Sequence, residues 1–139
     1  MNDNVNITRE DAVTTVLIAD DDEDILALVH RALSERGYEV LLARDGATAL
    51  TTARERKPTL ALLDIAMPAM DGYEVTSALK NDPATKDIIV ILFTARSEAS
   101  DVEKGYEAGA DDYIMKPFTL KTLHSRVLAG IERAPHAAA

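Results

Sequence analysis

A chain of 139 residues is expected to form one domain, and its 47% hydrophobic and 28% charged content suits a single apolar core. Twenty-four Asp and Glu against fifteen Lys and Arg give a net charge of −9, the wrong sign for a generic nucleic-acid or anionic-membrane surface. With no Cys, disulfides and thiolate metal sites are excluded, and two Phe, four Tyr and no Trp argue against a base-stacking platform.

Residues 1–13 are mostly polar, carry no signal-peptide run, and read as a flexible arm. No stretch approaches the roughly 20 apolar residues of a membrane span, so the chain reads as soluble and cytoplasmic, without a membrane partner. Two textures then alternate from residue 14 to residue 133. The apolar run Val16–Ala19 predicts a strand, and Ile25, Leu28, Val29, Ala32 and Leu33 follow helical spacing until Gly37. Val40–Ala43 predicts a second strand, followed by a helix over 45–56 with Asp45 as its N-cap. Leu60–Leu63 is the third apolar run, and Val75, Ala78 and Leu79 mark a short helix closed near Asn81-Asp82-Pro83. Ile88–Phe93 and then Ser97–Ala108 supply the fourth strand and helix, with Ser97 suited to an N-cap. Tyr113–Met115 and the stripe Leu120, Leu123, Val127 and Ile131 supply the fifth. Residues 134–139 read as a tail or truncated linker.

Five strand–helix units with continuous apolar strands imply an α/β fold whose parallel sheet is covered on both faces. Ligands of such sheets bind beyond the carboxyl ends of the strands. The first strand ends in Asp20-Asp21-Asp22-Glu23-Asp24 and the third in Asp64; Thr94 follows the fourth and Lys116-Pro117 the fifth. Residues 1–24 hold eight acids and one base, so the acidity is concentrated near this rim. Converging carboxylates repel unless a cation joins them, and all-oxygen donors favour Mg²⁺ or Mn²⁺ over Zn²⁺. Three aspartates and one lysine leave two net negative charges, which one divalent ion neutralises. A carboxylate, a hydroxyl, an ammonium and a divalent cation together suit phosphoryl binding or transfer. Each group alone has an ordinary structural use: Asp22 and Glu23 at a helix start, Asp64 in a turn, Thr94 as a cap, Lys116 in solvent. Their occurrence together at successive strand ends outweighs those separate readings.

The pieces Val16-Leu17-Ile18-Ala19-Asp20-Asp21-Asp22, Asp64 through Gly72, Thr94-Ala95 and Gly109 through Phe118 resemble the receiver domain of two-component response regulators. The resemblance spans about residues 14–133 and implies a flavodoxin-like (βα)5 doubly wound sheet of strand order 2-1-3-4-5, an order the receiver class exemplifies. It implies Asp64 as phosphoacceptor, with Mg²⁺ held by Asp20, Asp21, Asp64 and the backbone carbonyl of Ala66. Lys116 and Thr94 would contact the phosphoryl group, Lys116-Pro117 would be cis, and Tyr113 would swing inward as an aromatic switch. The switched surface would be the face of the fourth helix, fifth strand and fifth helix. Ala66 and Arg96 flank the path of attacking water and would modulate dephosphorylation. A sensor histidine kinase or phosphotransfer protein would be the donor, and a downstream partner or missing output domain the target.

The segment 109–118 with Arg126 further resembles receivers that feed winged-helix domains and dimerise through that same face. Asp111, Asp112 and Arg126 are candidates for its ion pairs, although Val102 and Thr122 stand where opposite charges are common. The chain itself is not expected to bind nucleic acid. Two other classes use similar groups. A haloacid-dehalogenase-type phosphatase has Asp-x-Asp, but the second position here is Ala66; a pseudo-receiver would lack one of the key groups, and none is missing. The leading expectation is a signalling switch that catalyses only its own phosphorylation and dephosphorylation, with no external substrate to turn over.

Overall fold

The computed structural model describes residues 13–95 and 99–135, with Ala99 and Ser100 described by their backbone alone. Arg96, Ser97 and residues 1–12, to which the sequence assigns a modulating side chain, an N-cap and most of an arm, lie outside the described residues.

The elements alternate as β1 (Thr15–Ala19), α1 (Glu23–Ser34), β2 (Glu39–Ala43), α2 (Gly46–Arg56), β3 (Leu60–Asp64), α3 (Gly72–Lys80), β4 (Ile89–Thr94), α4 (Ala99–Glu107), β5 (Asp112–Met115) and α5 (Leu120–Arg133). The five strands form one parallel sheet, as the apolar pattern predicts, in the order β2-β1-β3-β4-β5 that the resemblance implies. Strand residues alternate faces, so each continuous apolar run feeds two cores. Leu17, Ala61, Leu63, Val90 and Leu92 pack with α2 and α3, whereas Val16, Ile18, Leu62, Ile91 and Phe93 pack with α1 and α5.

Side chains cap most helix starts. Asp22 accepts from the N–H groups of Asp24 and Ile25, Asp45 from Thr48, and Thr119 from Thr122. α3 begins before its apolar stripe because Asp71 and Glu74 form a reciprocal capping box, so Asp71-Gly72 starts a helix. On α1, Val29, Ala32 and Leu33 are buried as their spacing predicts, but the first turns depart from the predicted face. Leu26 is buried and Leu28 is 44% exposed, the reverse of the spacing read from the sequence. On α5, Leu123 and Val127 are buried while Leu120 is 45% exposed. Leu28 and Leu120 instead line a surface hollow of about 230 Å³ with Ala32, Arg31 and Glu35. Ala134, which the sequence reading puts at the start of the tail, packs against the α1–α5 core. Among the described residues no helix is long and apolar enough to cross a membrane.

Candidate functional site at the carboxyl edge of the sheet

Parallel pairing brings the strand ends to one rim. Ala19 lies opposite Leu63, so Asp20 and Asp64 occupy adjacent positions just beyond it; Asp64 is in register with Phe93, and Thr94 with Met115. Asp20 is completely buried, Asp64 is 5% exposed and Thr94 is 3% exposed, whereas Asp21 points into solvent. One carboxylate oxygen from each of Asp20, Asp21 and Asp64 lies within 4.8 Å of the others. The Asp22 N–H donates to Asp20 Oδ1 at 2.9 Å, so the start of α1 fixes that carboxylate's orientation.

Lys116 supplies the positive charge. Its Nζ lies 2.7 Å from Asp20 Oδ2 and 3.6 Å from Asp64 Oδ1, with its side chain largely buried. Its backbone N–H bonds to the Thr94 carbonyl, and its ammonium lies 4.9 Å from the centroid of the Phe93 ring. Phe118 meets Phe93 edge-on at 6.1 Å and backs this arrangement. The Lys116–Pro117 peptide is cis.

Asp64 is electrostatically distinctive. Burial, then the negative charges of Asp20 and Asp21, push its carboxyl from 3.8 up to about 6, against the lowering effects of Lys116 and the Ala66 N–H. A buried carboxylate that resists ionisation and opens toward two others suits a divalent cation: all donors are oxygen, and the ion's charge answers the repulsion.

The loop after β3 is held by close backbone approaches. The Gly72 N–H donates to the Ile65 carbonyl, and a Cβ at Gly72 would lie 2.5 Å from the Asp64 carbonyl oxygen. Across the loop, a Cβ at Gly46 would lie 1.9 Å from the Met70 carbonyl oxygen. Only glycine permits both contacts, so these two residues belong to the machinery that positions Asp64. Their signal in the sequence was an Asp-Gly pair at each helix start, readable as turns and caps but not as a clamp on one loop.

Outside this cluster, Tyr113 is 7% exposed; a Cβ on Gly105 of α4 would lie 3.4 Å from its ring. The ring is therefore turned inward in this structure. Arg44, just beyond the end of β2, pairs with Glu23 in the first turn of α1. Asp112 pairs with Arg126 at 2.7 Å and Asp111 with Lys80 at 2.8 Å, so all three groups named as candidates for cross-subunit pairs have partners within the chain.

A parallel sheet of this order with acids and a lysine at its carboxyl edge defines a receiver-type α/β domain. Residues 16–128 match the response regulator receiver domain model, and the chain belongs to that family. It is 47% identical over 118 residues to the transcriptional regulatory protein PrrA of Mycobacterium tuberculosis, covering 85% of this chain and 50% of that protein. It is 39% identical over 118 residues to the DNA-binding response regulator MtrA of Mycolicibacterium paratuberculosis, covering 85% of this chain and 51% of that one. The chain thus spans about half the length of these curated relatives. Among solved structures, a putative response regulator from Chloroflexus aurantiacus superposes with TM-score 0.83 at 34% identity, covering 88% of this chain and all of that one. A CheY-like receiver from Methanospirillum hungatei gives 0.82 at 29% identity, covering 87% and 95%.

Proposed function

We propose that Asp64 is the phosphoacceptor of a two-component phosphorelay and that its modification switches a protein surface. The supporting observation is a buried carboxylate at a strand end, with two acids beside it and Lys116 within 3.6 Å. Asp20, Asp21, Asp64 and the Ala66 carbonyl would hold Mg²⁺, or Mn²⁺ in its place; when bound, the ion offsets charge on the transferring oxygens. Asp64 attacks phosphorus through a carboxylate oxygen, forming an O–P bond as the P–N bond of a donor phosphohistidine breaks. The electron pair of that bond leaves with the imidazole. An acyl phosphate donor loses its carboxylate instead. Lys116 shifts its pairing from the acids to a phosphoryl oxygen, and the Thr94 hydroxyl donates to another.

The product carries about two negative charges where one stood, with three strong acceptor oxygens. Thr94 is drawn toward them, and Tyr113 adjusts behind it, altering the α4-β5-α5 face. Ala66 contributes no side-chain functional group for water activation, and Arg96 would reach the phosphoryl group or shield it. The donor is a sensor histidine kinase or a phosphotransfer protein. An apolar hollow of about 390 Å³ beside Lys116, lined by Ile25, Leu28, Ala95, Pro117 and Phe118, gives such a protein a seat near Asp64. The target is a downstream partner or an output domain, reached in the cytoplasm. A homodimer through α4-β5-α5 is one form of output, and it requires Asp112 and Arg126 to exchange their present pairing. The chain itself binds no nucleic acid in this reading and turns over no external substrate.

Incubation with acetyl phosphate and Mg²⁺ should add about 80 Da to the wild type. Asp64→Asn should add nothing. A wild-type chain left at its original intact mass, or an Asp64→Asn chain modified to the same extent, overturns the assignment.

A further inference from the structure

Helix α4 buries little of itself. Among its described residues only Gly105 is fully buried, Asp101 and Val102 are half-buried, and Glu103, Lys104, Tyr106 and Glu107 are exposed. Nine residues are too few for a helix to hold itself in water, so its neighbours set its place. α3 supplies polar ties at both ends. Tyr73, in the first turn of α3 and 5% exposed, donates its hydroxyl to the Asp101 carbonyl in the first turn of α4 at 3.1 Å. That carbonyl has a second lone pair available beyond its intrahelical bond. The Lys104 ammonium lies 4.8 Å from the centroid of the Tyr73 ring, placing a cation over its face.

At the other end, Lys80 closes α3. Its Nζ pairs with Asp111 Oδ2 at 2.8 Å and donates to the carbonyls of Ile88 at 2.7 Å and Lys86 at 3.2 Å. Asp111 Oδ2 also accepts the Val90 N–H at 2.9 Å. Thus α3 holds the segment from Asp101 to Asp111 at the first turn of α4 and again beyond its last. The residue before Tyr73 is Gly72, whose backbone lies against the Asp64 carbonyl.

We infer that α3 is a splint for α4. It fastens the segment Asp101–Asp111 to the loop carrying Asp64, and a shift of that loop moves α4 directly, in parallel with any signal through β4 and β5. Tyr73 is the positioning residue of this device. The coupling half rests on Asp64 being the phosphoacceptor; the splint itself does not.

Hydrogen exchange read by mass spectrometry tests both. Tyr73→Phe removes only the hydroxyl, and an ordinary net hydrogen bond corresponds to roughly a five- to tenfold change in a local opening equilibrium. Without phosphoryl donor, amides of 102–107 should exchange faster by about that factor in Tyr73→Phe, with β1 and β3 unchanged. Lys80→Met should release 108–112 likewise. Unchanged exchange in α4 overturns the splint. If Tyr73→Phe loosens every peptide equally, Lys104→Met decides: faster exchange confined to α4 supports the tie, and none overturns it.

With acetyl phosphate and Mg²⁺, intact mass records the adduct while exchange records α4. Modified wild type should show altered α4 exchange, and modified Tyr73→Phe should lose at least half of that response. An undiminished response at equal modification overturns the coupling. A wild type that gains no adduct overturns the phosphoacceptor reading and the coupling with it, while the donor-free comparison still decides the splint.

Discussion

The carboxyl of Asp64 is held at about 6 because burial and the charges of Asp20 and Asp21 oppose its ionisation more than Lys116 and the Ala66 N–H favour it. Its proton is therefore bound more tightly in the folded chain than in the unfolded one, where the ordinary value of 3.8 applies. The sign follows: the stability gained from this proton is complete below about pH 3.8 and lost as pH rises through about 6. In metal-free buffer at pH 7.5 the ionised group costs on the order of 3 kcal/mol. Asp64→Asn keeps the shape and removes the titration. Urea unfolding in EDTA should show the variant more stable by about that amount at pH 7.5, with the gap closing toward pH 4. A gap independent of pH would show that Asp64 ionises freely in the fold. The other titrating groups are common to both chains, so the difference isolates this one carboxyl and its interactions with its neighbours.

At the scale of elements, the β3–α3 loop is where backbone geometry bears on the site. Ala69 has φ 72°, a left-handed conformation in which its Cβ crowds the following carbonyl. Glycine there relieves the crowding but adds freedom to the unfolded chain, so Ala69→Gly should stabilise by a net ~0.5–1 kcal/mol. The check is a higher urea midpoint with an unchanged slope; a lower midpoint would mean that the alanine side chain packs favourably enough to outweigh its backbone strain. The residues of this loop also mark how far the sequence could be read. The strand ends were legible because apolar runs of three to six residues stop abruptly at polar groups, and a parallel sheet must line those ends up. The face of α1 was legible from Val29 onward but not in its first turns. Ile25-Leu26-Ala27-Leu28-Val29 is apolar throughout, two adjacent faces satisfy helical spacing, and contact with β1 and α5 selects Leu26. The start of α3 was missed because Asp71-Gly72 is equally a turn signal, although Asp71 followed three residues on by Glu74 is itself the capping-box pattern that the two reciprocal bonds complete. The Lys80–Asp111 pair joins residues 31 apart, a distance at which no local pattern speaks.

For the whole molecule the question is what a net charge of −9 does to a divalent cation. An acidic chain attracts Mg²⁺ diffusely, but that attraction is screened at about 0.15 M salt, where the Debye length is roughly 8 Å. A site made by Asp20, Asp21 and Asp64 behaves differently, because the native state gathers three carboxylates that unfolding separates. Binding to the native state alone stabilises by RT ln(1 + [L]/Kd), about 2.7 kcal/mol at a hundredfold excess over Kd, which raises Tm by roughly 10 °C for a domain of this size. Asp21 is exposed and is the one acid of the three without a bond to Lys116, so Asp21→Asn should retain the fold and lose most of the rise. Protons compete for the same oxygens. Asp64 is largely protonated at pH 5 in the absence of the ion, so the Mg²⁺-induced rise should shrink there and recover above about pH 6. Thermal unfolding with and without MgCl₂ at matched ionic strength, at pH 5.0 and 7.5, reads all of this. Equal shifts in wild type and Asp21→Asn would assign the cation to the diffuse charge of the chain. A shift that persists undiminished at pH 5 would remove Asp64 from the ligand set.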